Sequence, residues 1–124
     1  MGKYQGSCHC GKVKFEIETD LTWVSECNCS ICTKKGAIHH RVKPEQFNLI
    51  SGEDALTLYQ FNTNTAKHYF CNTCGIQPFT RPRLNPEMYT INVNTLDNFD
   101  LDTQPVEWRH FDGKNFEDAA KDLK

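Results

Sequence analysis

Hydrophobic and polar side chains alternate near the start of the chain. Val13, Phe15 and Ile17 interleave with Lys12, Lys14, Glu16 and Glu18, the pattern of a strand with one face in a core and the other in water. A second strand is expected over residues 56–61, where Leu56, Leu58, Tyr59 and Phe61 follow the turn signal Ser51-Gly52, and a third over residues 88–93. Shorter strands are expected over residues 23–27, 37–42, 68–71 and 106–111. Pro44 suits the first position of a single helical turn through Phe47, and residues 116–123 suit a short terminal helix. Nothing alternates strands with long helices and no glycine-rich phosphate loop occurs, which argues against a nucleotide-binding α/β fold. The expected class is mainly β, built from short antiparallel sheets.

Composition narrows this picture. The chain has 124 residues, the size of one domain with a modest core that gains from cross-linking. We expect a single domain over 1–124, with its core at about 4–111 and a tail at 112–124. The formal net charge of −2 gives no bulk attraction to nucleic acid or to an anionic membrane. No apolar run is long enough to span a bilayer, and no secretory signal is evident. A cytoplasmic protein with no membrane or nucleic-acid partner is therefore expected.

Seven cysteines change the picture most. Their odd number defeats complete disulfide pairing, and a reducing compartment disfavours disulfides anyway. They fall into three groups: Cys8 and Cys10 as C-x-C; Cys27, Cys29 and Cys32 as C-x-C-x-x-C; Cys71 and Cys74 as C-x-x-C. Such spacings let one loop present several thiolates to one metal, and zinc takes four ligands in structural sites. Four plus three is the natural division. The two pairs would close a structural site, and the triplet would leave one position for water or substrate, the arrangement of a catalytic zinc. Spacing alone leaves two alternatives open: the triplet could share a ligand with a pair, or a histidine could complete it. A thioredoxin-like redox pair lacks its βαβ setting here, and the dyads lack a ferredoxin-like spacing.

The runs Gly6-Ser7-Cys8-His9-Cys10-Gly11-Lys12-Val13-Lys14-Phe15, Cys27-Asn28-Cys29-Ser30-Ile31-Cys32 and Tyr69-Phe70-Cys71-Asn72-Thr73-Cys74-Gly75 resemble the glutathione-dependent formaldehyde-activating enzyme family, whose domain is shared with centromere protein V. Gly52-Glu53-Asp54-Ala55-Leu56, Ile91-Asn92-Val93 and Leu96-Asp97 fit the same resemblance. It implies a compact β fold, the β-tent, with two zinc ions per chain. Cys8, Cys10, Cys71 and Cys74 match the family's structural ligands, and Cys27, Cys29 and Cys32 match those of its active-site zinc. It implies a carbon–sulfur lyase-type activity on glutathione and formaldehyde, giving S-(hydroxymethyl)glutathione, or on a related thiol adduct. The alternative is a non-catalytic zinc module that binds glutathione or a protein partner.

Other side chains are weighed against these roles. Zinc could lower the pKa of a substrate thiol or polarise the aldehyde oxygen. Glutathione carboxylates could be met by Lys34, Lys35, Arg81 or Arg83, although most such residues are solvated surface charges. His39 and His40 follow the triplet closely, and strand geometry would place them on opposite faces, so one at most serves near the zinc as an acid–base or supporting group. His9 is expected as a loop residue and His68 as packing near the second cysteine loop. Phe15, Tyr59, Phe70, Phe79 and Tyr89 are expected as core or rim aromatics, and Trp23 and Trp108 as partly exposed without a role.

Overall fold

The computed structural model describes residues 2–61, 63–83 and 85–115. Among the described residues ten strands run in chain order: β1 (Gly2–Ser7), β2 (Lys14–Thr19), β3 (Trp23–Cys27), β4 (His39–Val42), β5 (Phe47–Ser51), β6 (Leu56–Tyr59), β7 (Lys67–Cys71), β8 (Phe79–Arg81), β9 (Tyr89–Asn92) and β10 (Glu107–Phe111). One short helix, α1 (Ser30–Lys35), lies between β3 and β4. The fold is mainly β, as the alternation implies. The expected terminal helix over 116–123 falls outside the described residues.

The strands form a three-stranded sheet, β1-β2-β5, and a seven-stranded sheet, β10-β3-β4-β9-β8-β7-β6. Every pairing is antiparallel except one: β10 runs parallel to β3, with Phe111 opposite Cys27. The short antiparallel sheets expected from the sequence are present, with this one parallel pair added to them. Antiparallel neighbours can be joined by tight turns, whereas a parallel partner needs a long crossover. Residues 28–106 supply it.

Phe15 and Ile17 point inward from β2 and are buried, while Lys14 and Glu18 stay in water. Burying each such apolar side chain contributes about 1.5–3 kcal/mol. The two sheets meet through aromatic rings. Phe47 stacks on Tyr89 at 4.1 Å, and Phe15 meets Phe79 edge-on at 6.2 Å. Val24, Val42 and Ile91 complete the inner face of the larger sheet. Tyr59, expected in the core or at its rim, sits on the edge strand β6 and is 50% exposed. Pro44 opens a one-turn 3-10 helix, Pro44–Gln46, as its fixed φ favours.

Candidate metal centre

The two outer cysteine pairs converge. Cys8 and Cys10 follow β1, Cys71 ends β7, and Cys74 lies in the loop beyond it. Their four Sγ atoms all lie within 4.8 Å of one another. Cys10 Sγ is 3.6 Å from both Cys8 Sγ and Cys71 Sγ. A tetrahedron of thiolates around zinc, with bonds of about 2.3 Å, has edges of about 3.8 Å, so the donor set fits that ion. The loops are shaped for it. Gly11 and Gly75 take φ of +83° and +79°, a region costly for other residues. The backbone N–H of Val13 donates to Cys8 Sγ at 3.3 Å, and that of Thr73 to Cys71 Sγ at 3.4 Å. Donors of this kind favour thiolate, and the N–H groups of Cys74 and Thr73 draw the Cys71 thiol below its ordinary pKa. Lys12 ties the two loops together through Thr73 Oγ1 at 3.0 Å. The group links the smaller sheet to β7 of the larger one.

The triplet forms a second, separate cluster. Cys27 ends β3, Cys29 precedes α1, and Cys32 lies within it. Their Sγ atoms again lie within 4.8 Å of one another, and all three residues are half-buried. The thiols of Cys27 and Cys32 donate to Cys29 and hold its pKa far below the thiol range, while their own rise. Three sulfurs this close resist ionising together, and a cation is what would let all three do so. No described histidine or acid joins either group.

A strap closes one side of the triplet. Asn28 Nδ2 donates to Asp112 Oδ1 at 2.8 Å, and Lys114 N donates to Asn28 Oδ1 at 2.9 Å. The sequence shows Asn28 only as the spacer in C-x-C. Its partners lie 84 and 86 residues away, so no local signal marks the strap.

β4 separates the two candidate histidines. His40 points into the core, where Nδ1 donates to the Trp23 carbonyl at 2.9 Å and Nε2 accepts from Thr19 Oγ1 at 3.0 Å. Both ring nitrogens are occupied, and burial lowers its pKa. His39 takes the other face, opposite Ser25 of β3, and so shares a face with Cys27, two residues on. Burial pushes its pKa down to about 4, against the opposing pull of the Cys29 charge. His39 Nε2 is buried without a hydrogen-bond partner among the described residues.

The remaining candidates are dispersed. Lys35 donates to Gln77 Oε1, bridging α1 to the segment before β8. Lys34 is exposed in the last turn of α1. Arg81 lies 4.0 Å above the Tyr89 ring and donates to the carbonyls of Pro86 and Glu87. Arg83 is half-buried just after β8, and His9 is exposed between two cysteines. His68 is buried and stacks on Phe61 at 5.6 Å. A surface concavity of about 610 Å³, lined by residues 49–54, touches neither cysteine group. No helix among the described residues is long and apolar enough to cross a membrane.

Comparison with known proteins agrees with this geometry. The sequence profile described as glutathione-dependent formaldehyde-activating enzyme matches residues 3–111. A crystal structure of a Rhodobacter sphaeroides protein, solved as a structural-genomics target, is 41% identical with a TM-score of 0.76. The alignment covers 84% of this chain and 98% of that one.

Proposed function

The chain belongs to the glutathione-dependent formaldehyde-activating enzyme family, and on that premise we propose that it is a zinc-dependent carbon–sulfur lyase-type enzyme. It joins glutathione and formaldehyde as S-(hydroxymethyl)glutathione, or handles a related thiol adduct. One observation carries this reading: the cysteines divide in space into a group of four and a group of three. Cys8, Cys10, Cys71 and Cys74 would hold a structural zinc. Cys27, Cys29 and Cys32 would hold the active-site zinc. An ion with three protein ligands keeps a position for an exogenous thiol and lowers that thiol's pKa.

The reaction forms one carbon–sulfur bond and moves one proton from sulfur to the carbonyl oxygen. His39 Nε2 is the neutral side-chain atom that can relay that proton, since it lies on the triplet's side of β4 and has no described partner. His40 cannot take this part, because the core occupies both its nitrogens. The strap through Asp112 and Asn28 holds the Cys27–Cys29 loop in place. Glutathione is abundant in the cytoplasm, which is where the proposed activity belongs.

The test is the exchange of glutathione with formaldehyde, followed by NMR with the zinc-loaded protein. Acceleration over the uncatalysed rate is the expected result. An unchanged rate together with glutathione binding would instead make the chain a binding module.

A further inference from the structure

Two more polar atoms are buried without described partners on the sheet face that carries His39, and their residues face each other. In the register of β4 against β9, Arg41 stands directly opposite Thr90, on the face of the sheet that also carries His39. Arg41 Nε and Thr90 Oγ1 are both shut off from solvent and have no hydrogen-bond partner among the described residues. Thr90 is only 7% exposed. The row continues across the sheet, with Thr90 opposite Thr80 on β8 and Thr80 opposite His68 on β7.

Arg41 brings a positive charge to this face. Lys35, Arg41 and His68 each depress the pKa of His39, so each lies within electrostatic reach of that ring. The opposing pull comes from Cys29, felt by His39 and His68, from Cys32, felt by Lys35, and from Glu87, which acts on Arg41. A buried guanidinium N–H with no acceptor is costly, and a carboxylate is the planar acceptor its fork fits best. A hydroxyl directly across the strand pair adds a second donor.

We propose that Arg41 and Thr90 form a carboxylate-binding subsite, which holds an acid group of the thiol whose sulfur is directed to the triplet. This rests on the thiol-substrate reading above and deepens it by naming the chemistry that selects the thiol. The subsite lies on the sheet face beside His39, not at Arg81, whose guanidinium is already engaged with Tyr89 and two carbonyls.

The experiment compares glutathione with its dimethyl ester on the zinc-loaded, unmodified protein by calorimetry, without formaldehyde. Removing a charge-assisted contact should weaken ester binding about tenfold or more. Arg41→Gln should weaken glutathione binding by a similar factor and leave ester binding unchanged. Thr90→Val should do the same to a smaller degree, and Arg41→Lys should restore part of the loss. Equal affinity of the unmodified protein for acid and ester overturns the subsite while leaving a thiol site intact. An Arg41→Gln loss shared equally by acid and ester also overturns it, as does failure to bind either compound. Acid-selective binding without accelerated formaldehyde exchange upholds the subsite and removes the catalytic reading alone.

Discussion

Gly113 lies against Cys27. A Cβ built on Gly113 would stand 2.5 Å from Cys27 Sγ and 2.7 Å from Cys29 Cβ, closer than any side chain can pack. Here glycine is required by space alone, because the backbone of the strap passes directly over the Cys27 thiol and the Cys29 Cβ. Asp112 and Lys114, its neighbours, are both bonded to Asn28, so the strap cannot simply lift away.

Gly113→Ala should therefore displace the Cys27–Cys29 loop. We expect a stability cost of about 1–3 kcal/mol, as for other overpacked sites, measured by urea denaturation. Metal analysis should show weakened metal retention at the triplet, with the four-cysteine group retained. Full metal content and unchanged stability would show that the strap does not constrain the triplet.

The two cysteine groups should respond differently to loss of one ligand. The group of four joins the two sheets through segments some 60 residues apart, whereas the triplet lies within six residues of chain, Cys27 to Cys32. Cys29→Ser should lower the metal count from about two ions per chain to about one with the β-sheet circular dichroism intact. Cys71→Ser should cost more than about 4 kcal/mol, enough to unfold much of the protein. Equal unfolding by both changes would make the triplet structural.

The parts legible in the sequence are those set by neighbours along the chain. Alternation around Phe15 marks β2, and the cysteine spacings mark both cysteine groups because one loop brings each pair of thiols together. Very short elements escape such reading. β8 has three residues and α1 has six, too few for a period to repeat. β1 escapes for another reason: Gly6 breaks its apolar pattern, yet it is buried because the Phe15 ring occupies the space of its missing side chain. The strap, the parallel β10 and the Arg41–Thr90 pair depend on long-range register. Glycine, asparagine and arginine there look like ordinary surface residues until the sheet is assembled.

His40 predicts a pH effect on stability. Burial lowers its pKa in the fold below the unfolded value, so folding favours the neutral ring. The resulting stabilisation is complete above the unfolded pKa of about 6.5 and is lost as pH falls below it. His40→Ala should cost about 3 kcal/mol at pH 7.5, from the cavity and from the unpaired Thr19 hydroxyl and Trp23 carbonyl. The gap between the two proteins should narrow as pH falls below 6.5. Since both retain the same cysteines, denaturation curves at matched pH isolate the His40 contribution. A gap that is constant with pH would mean that His40 does not titrate on unfolding.

His39 offers the sharpest separation of chemistry from structure. It shares a strand with His40, yet its ring faces the other side of the sheet and its Nε2 has no described partner. His39→Gln removes the group that can relay a proton while keeping a polar side chain of similar reach. Loss of general acid–base help is worth about 100-fold or more in rate. The exchange of glutathione with formaldehyde should slow by that order, while the metal count and the affinity for glutathione remain those of the unmodified protein. If the rate falls only in proportion to lost zinc or lost glutathione binding, His39 supports the site and moves no proton.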